Sequence, residues 1–332
     1  MPVYYGGQPG MYAVRRLFNP EMYQGGGRKK NYFEGWYFRI SDETGGSSIA
    51  LIPGVSMGDA EEDRHAFIQV MNETDRTTHY FSFDFREFSY SRSSFSIRIG
   101  RNTFDRDSIS VDLDEGGFVI KGELRFREAV PFPRTLLSPG IMGPFTFLPF
   151  MECSHGVVSI SNRIDGSLKI GGREIDFTGG RGYIEKDWGR SFPEWWVWMY
   201  SDRFEREDAA FLFSAAKIPW LGMHFKGFLS FLKVGDEIHR FATYTGARIR
   251  KLDYSGGELQ IEVKDRRHSL EIRGSCIEGR TLKAPKGGRM LRDISESMSS
   301  DLHVTLRRRD GSIVFEGRGR NAGMEIELDV QK

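Results

Sequence analysis

Apolar and polar residues alternate with a period of two over much of the chain. Phe95-Ser-Ile-Arg-Ile99, Ser108-Ile-Ser-Val-Asp-Leu113 and Phe118-Val-Ile-Lys-Gly-Glu-Leu124 alternate in the first half. Leu259-Gln-Ile-Glu-Val263, Leu270-Glu-Ile272, His303-Val-Thr-Leu306 and Met324-Glu-Ile-Glu-Leu328 do so in the second. Successive side chains of a strand point to opposite faces, so these segments predict strands with one buried and one wet face. Gly45-Gly46, Gly116-Gly117, Asp165-Gly166, Gly171-Gly172, Gly256-Gly257 and Asp310-Gly311 lie between or beside them. Such pairs supply the positive φ of tight hairpins, and strands with one polar face belong in antiparallel sheets. The pattern predicts an all-β protein, sandwich or barrel. Helical spacing is scarce; Leu291, Ile294 and Met298 show it and predict one short helix near the C-terminus.

The two halves resemble each other. Glu34-Gly-Trp36-Tyr-Phe38 reappears as Glu194-Trp-Trp196-Val-Trp198, and Ile109, Val111 and Leu113 before Gly122 match Leu259, Ile261 and Val263 before Gly274. His155, Asp165-Gly-Ser167 and Phe177-Thr-Gly179 find counterparts in His303, Asp310-Gly-Ser312 and Phe315-Glu-Gly317. The order is kept while the offset drifts, as changes in loop length would cause. An internal duplication follows, with an N-terminal arm over 1–30, a first β domain over 31–175 and a second over 176–332.

Composition narrows the function classes. The 47 basic and 46 acidic side chains leave a net charge of +1, which argues against nucleic-acid binding by bulk charge and against a polybasic membrane anchor. Cys153 and Cys276 make neither a disulfide framework nor a zinc site, and a reducing cytoplasm is the expected compartment. The opening residues MPVYYGGQPGMYAVRR lack the continuous apolar stretch of a signal peptide. The charge-free run Thr135 to Met151 is broken by Pro139, Pro144 and Pro149, so it does not read as a membrane-spanning helix. The surrounding segment from Pro131 to Phe150 is too rich in Pro, Phe and Leu for a solvated loop. It is expected to pack as a lid, to form the entrance for a lipid-like substrate, or to touch a membrane peripherally.

Several standard motifs are missing. The chain has no phosphate loop, no His-Glu-x-x-His and no Gly-x-Ser-x-Gly elbow, and the seven histidines show no ligand spacing, so no metal or other cofactor is expected. The densest unusual stretch is Gly182-Tyr-Ile-Glu-Lys-Asp-Trp-Gly189, followed by Arg190-Ser-Phe-Pro-Glu-Trp-Trp-Val-Trp198. As a strand it puts Tyr183, Glu185 and Asp187 on one face and Ile184, Lys186 and Trp188 on the other. A carboxyl group among aromatics and beside a second carboxylate loses hydration and gains repulsion, both of which favour its protonated form and suit it to donate a proton near neutral pH. The structural alternative pairs Glu185 or Asp187 with Lys186, Arg181 or Arg190 and buries Trp188 in the core. In the second copy the corresponding stretch reads Gly317-Arg-Gly-Arg-Asn-Ala-Gly-Met324, without the acidic block.

Asn31-Tyr-Phe-Glu-Gly-Trp-Tyr-Phe-Arg39, Glu152-Cys-Ser-His-Gly156, Gly179-Gly-Arg-Gly-Tyr-Ile-Glu-Lys-Asp-Trp-Gly189, Phe192-Pro-x-x-Trp196 and Phe241-Ala-Thr-Tyr-Thr-Gly-Ala247 resemble the signature segments of tocopherol cyclase-like proteins. The resemblance implies two lipocalin-like antiparallel β-barrel or sandwich domains. It also implies kinship with carotenoid 1,2-hydratases and fungal lipocalin-like cyclases acting on polyketides. The chemistry implied is protonation of a prenyl double bond in a prenylated quinol or related isoprenoid, with a phenolic oxygen closing the ring. In the hydratases water captures the cation instead. Their acid, two residues after a Tyr, falls on Glu185 after Tyr183, and an upstream His falls on His155. Where the hydratases flank the acid with His, this chain has Ile184 and Lys186, which favours the cyclase branch.

The expected site therefore comprises Glu185 as proton donor, Asp187 as the alternative donor, and Tyr183 and His155 as orienting or relay groups. Trp36, Trp188, Trp195, Trp196 and Trp198 are the candidate walls that stabilise a cation, although alternation keeps some of them off the acid's face. The expected partner is a hydrophobic small molecule, bound by a cytoplasmic or membrane-associated protein. A non-catalytic lipocalin-like binding protein and an isoprenoid hydratase are the competing readings.

Overall fold

The computed structural model describes residues 3–6, 9–148, 151–220 and 223–328. The chain forms two compact units, one of residues 1–192 with 282–293 and the other of 193–281 with 294–332. Each holds one large sheet curled around its own apolar core, as the alternating pattern predicts. The architecture is all-β, lipocalin-like and two-domain.

Across the first sheet the strands run Thr77–Asp84, His65–Asn72, Ser48–Met57, Tyr32–Ser41, Arg181–Gly189, Cys153–Ile170, Phe118–Val130, Ser108–Glu115 and Asn102–Asp105, and continue through Ser96–Ile99 and Phe88–Ser91 to Val3–Tyr5. Across the second they run Glu237–Ala242, Met223–Val234, Ala209–Trp220, Trp196–Ser201, Ile313–Glu327, Arg289–Arg308, His268–Ser275, Glu258–Lys264 and Arg248–Ser255. The order is the same: four strands in succession, then a strand from the end of the unit returning to pair with the first. This repeated order agrees with the duplication read from the sequence.

Four local expectations are revised. The unit break falls at Phe192–Pro193, because Arg181–Gly189 pairs between Tyr32–Ser41 and Cys153–Ile170 and so belongs to the first sheet. The hairpin Leu282–Asp293 also joins the first unit, where Lys283 exchanges two hydrogen bonds with the Gln69 side chain (2.7 and 2.9 Å) and Met57 N donates to Gly288 O (3.0 Å). Leu291, Ile294 and Met298 lie in a strand, Arg289–Arg308, with Leu291 exposed and the other two buried, while the helix, Pro9–Phe18, sits in the N-terminal arm. Asp165-Gly166 is not a turn: Gly166 (φ +118°) lies inside Cys153–Ile170, where a Cβ would come within 2.4 Å of Glu123 O. Glycine is needed there for close backbone approach rather than for chain reversal.

The apolar 131–150 segment is split. Phe132, Ile141 and Met142 are buried, whereas Leu136 and Leu137 are each 79% exposed; Pro149 and Phe150 lie outside the described residues. Among the described residues no helix is long and apolar enough to cross a membrane.

The N-terminal arm is fixed over the first core by a buried ion pair. Lys186 points inward and its three N–H groups reach Glu34 Oε1 (2.5 Å), Pro20 O (2.7 Å) and Met22 O (2.5 Å). Its ammonium also lies 4.9 Å from the Trp36 ring and 4.7 Å from the Trp188 ring. Glu34 accepts in addition from Tyr32 Oη (2.5 Å), Gln24 N (2.8 Å) and Gly25 N (2.9 Å). Burial pulls the Lys186 ammonium down to about 8, with the Glu34 carboxylate opposing that pull. Removing one partner of such a pair strands a buried charge, so Lys186→Met is expected to cost ~3–5 kcal/mol, read from the denaturant midpoint. The double variant Lys186→Met, Glu34→Leu removes the stranded charge but should recover only part of that loss, because Gln24 N, Gly25 N, Tyr32 Oη and the carbonyls of Pro20 and Met22 lose their partner.

Candidate active site

The residues around the acidic block are positioned by strand register. In Arg181–Gly189, Ile184 belongs to the first core cluster and Trp188 packs against it, while Lys186 points the same way. Alternation then sends Tyr183, Glu185 and Asp187 to the opposite face. That face is nonetheless dry at its centre, with Tyr183 fully buried and Glu185 5% exposed. On the neighbouring Cys153–Ile170 strand, His155 stands opposite Asp187 and Val157 opposite Glu185. On the other side, Tyr37 stands opposite Glu185 and Arg39 opposite Tyr183.

These positions make one hydrogen-bonded cluster. Tyr183 Oη donates to Glu185 Oε2 at 2.5 Å. His155 Nδ1 lies 3.0 Å from Asp187 Oδ1, and its Nε2 lies 3.5 Å from Glu185 Oε2. Burial by itself would disfavour the imidazolium. The carboxylates of Asp187 and Glu185, with the hydrogen bond to Asp187, more than offset it and hold His155 up at about 9. At neutral pH the site therefore stores a proton on an imidazolium set between two carboxylates. Cys153 is no rival as a nucleophile, since burial and then the nearby Asp187 and Glu152 push its thiol well above the ordinary range.

The expected four-residue set of Glu185, Asp187, Tyr183 and His155 thus converges. Of the structural alternative, the pairing of Lys186 with Glu185 or Asp187 does not hold, because Lys186 points to the other face and pairs with Glu34, whereas Trp188 does pack against the core. The tryptophans divide. Trp36 and Trp188 flank Lys186 on the core side and so do not share the face of Glu185. In the second unit, Trp196 and Trp198 lie buried on the face away from the core formed by Val197 and Met199, and Trp195 lines a cleft. Sequence reasoning did not single out Tyr37 and buried Arg39, although both stand in the quoted Asn31–Arg39 block. Their two-residue spacing on a strand was the available signal.

The second sheet qualifies the comparison of the two copies. Its returning strand carries Glu325 and Glu327 opposite Trp198 and Trp196, just beyond Gly317–Met324, and Trp196 Nε1 donates to Glu325 Oε2 at 2.6 Å. An acidic pair therefore recurs at this strand. The position opposite Glu325 on the adjacent strand is Glu296 rather than a histidine. His303, matched to His155 in the sequence, stands opposite Arg318 instead, so an imidazole beside the acidic pair is what distinguishes the first unit.

His155, Glu185 and Asp187 each offer one ligand atom, all within 4.8 Å of one another, so the same trio has the donor set for a divalent cation. Two ionised carboxylates and a neutral imidazole would bind it, whereas the imidazolium state holds a proton in its place.

An all-β double-sheet protein with a buried carboxylate–imidazole cluster is the class that fold and site define. The chain belongs to the tocopherol cyclase-like family, whose model matches residues 134–328. The Asn31–Arg39 block lies outside that match. No curated protein matches the chain in sequence. Among solved structures it is similar to CghA bound to Sch210972 (14% identity, 90% of this chain and 88% of that one, TM-score 0.52) and to CghA alone (13%, the same coverage, TM-score 0.53). Kievitone hydratase from Nectria haematococca also matches, at 10% identity over 92% of this chain and 93% of that one, with a TM-score of 0.49. At these identities the likeness to CghA is one of fold.

The raised proton affinity of His155 has a definite sign. Its folded value of about 9 exceeds the ordinary 6.5, so its stabilising contribution is fully present below 6.5 and is lost as pH rises through 9. In an NMR titration the His155 ring should stay imidazolium until about pH 9, and in Asp187→Asn its midpoint should fall back toward 6.5.

Proposed function

We propose that the protein is a cofactor-independent, acid-catalysed cyclase acting on a prenylated quinol or related isoprenoid. Family membership supports a cyclase or hydratase type of role, and the buried cluster of Tyr183, Glu185, Asp187 and His155 is the observation that carries the chemistry. Glu185 delivers the proton to the less substituted carbon of the prenyl double bond. That proton reaches the Glu185 carboxylate from the imidazolium Nε2 of His155, which Asp187 orients through Nδ1. The new C–H bond leaves a tertiary cation on the neighbouring carbon. The phenolic oxygen attacks that carbon, the C–O bond closes the ring, and the phenolic proton returns through Glu185 to His155 Nε2. Substrate and product have the same composition, and the proton inventory of the cluster is restored. Tyr183 holds Glu185 in one rotamer through the 2.5 Å hydrogen bond. The low exposure of Glu185 keeps water from competing for the cation.

Incubation with a prenylated hydroquinone, followed by mass spectrometry of the product, tests this reading. Cyclisation leaves the mass unchanged, hydration adds one water, and mere binding returns the ligand. Glu185→Gln keeps shape but removes the transferable proton, and turnover should fall by about 10²- to 10⁴-fold. Turnover of the parent protein should also decline as pH rises through about 9, where His155 loses its proton. A chelator should leave the rate unchanged. Full activity in both Glu185→Gln and Asp187→Asn would sink the assignment.

A further inference from the structure

The second unit has an opening of its own. A cleft of about 660 Å³, within the ~300–1,000 Å³ range of small-ligand sites, is cut into one end of its core. Its floor is Phe228 and Ala247, both buried core residues, and its walls are Ile249, Leu252, Leu328 and Trp195. Its rim is Lys226, Arg248 and Arg250, and among the described residues no carboxylate lines it.

Local backbone geometry explains why apolar floor and cationic rim meet. Residues 247 to 250 all line the cleft, which a regular strand cannot arrange because its side chains alternate. The edge strand Arg248–Ser255 shifts register against Glu258–Lys264 between Ile249 and Lys251, which leaves Arg250 as the extra residue of a bulge. A bulge re-aims side chains, and here it lets Arg250 join Arg248 and Ile249 at the opening.

The charges at the rim are left over. The cations nearest them in register are neutralised: Lys217, opposite Lys226, pairs with Glu194 at 2.5 Å, and Lys264, opposite Arg248, pairs with Glu262 at 2.5 Å. Among the described residues Lys226, Arg248 and Arg250 form no ion pair, and Lys226 lies 5.8 Å from the Trp195 ring. Three uncompensated cations around an apolar hollow complement a molecule with an anionic head and an apolar body. A cationic amphiphile would be repelled, and a neutral one would leave the rim unused.

We propose that this cleft binds a single-chain carboxylate, its alkyl chain on Phe228, Ala247, Ile249 and Leu252 and its head among Lys226, Arg248 and Arg250. The site lies wholly within the second unit and uses none of the residues of the His155 cluster. It is therefore a binding site additional to the proposed catalytic one.

Calorimetric titration of the full chain at neutral pH with decanoate, decanol and decyltrimethylammonium, each kept below its micellar concentration, tests it. Decanoate should bind at one saturable site, about tenfold more tightly than decanol, as a few partly exposed charge contacts allow. The cation should not bind, and added salt should weaken decanoate. Arg248→Glu with Arg250→Glu should reduce decanoate affinity by about tenfold or more while leaving thermal unfolding unchanged, because both side chains are exposed. Glu185→Gln should bind decanoate like the parent. The proposal is overturned if decanoate fails to bind, if decanol binds as tightly, if the charge reversal leaves affinity intact, or if Glu185→Gln abolishes binding.

Discussion

The ammonium of Lys186 is the constraint on which the first unit depends. Taking that charge out of water costs several kcal/mol, and the cost is recovered only where every N–H has a partner. Here the partners come from separate parts of the chain: Glu34 from a neighbouring strand, and the carbonyls of Pro20 and Met22 from the N-terminal arm. Meeting all of them fixes the register of Arg181–Gly189 against Tyr32–Ser41 and lays the arm over the core. Because a strand has a period of two, a one-residue slip would turn Lys186 outward and Glu185 inward. The buried cation thus sets the direction in which the acidic residues point.

One strand accordingly carries two ionic clusters of different character on its two faces. On the core side, Lys186 and Glu34 are saturated with close partners and enclosed by Trp36 and Trp188, an arrangement that suits holding the chain together. On the other side, His155 makes one short contact to Asp187 and a longer one of 3.5 Å to Glu185. Its Nε2 is the less constrained nitrogen, and the surroundings raise the proton affinity of the imidazole to about 9. A proton held by electrostatic attraction and bonded less tightly on one side is suited to transfer, whereas a saturated one is suited to architecture.

The repeated strand order shows how the chemical difference between the units arises. Both sheets bring an acidic pair to the strand that returns beside the first, Glu185 and Asp187 in one and Glu325 and Glu327 in the other. The first unit adds His155 from the adjacent strand and Tyr183 along the same strand. The second sets Glu296 across from Glu325 and lets Trp196 hydrogen-bond that acid. The same scaffold therefore carries a proton-storing imidazole in one copy and lacks it in the other.

The sequence by itself determined the all-β class, the duplication, most of the hairpins and the shared face of Tyr183, Glu185 and Asp187. All of these follow from a period of two and from turn chemistry, which are local. It misread Asp165-Gly166, because a glycine needed for close approach to Glu123 looks like a glycine needed for a turn. It read Leu291, Ile294 and Met298 as helical, because three apolar positions at such spacing also fit a bulged strand with one exposed member. Only the tertiary structure decided that Lys186 pairs with Glu34 rather than with its neighbours in sequence, that Trp36 and Trp188 belong to that pair, and that Leu282–Asp293 crosses into the first unit. It also decided that His155 lies between two carboxylates. The reason is the same in each case: these partners are brought together by sheet register across long stretches of chain, and the burial that sets their charge states exists only once the sheet has closed around its core.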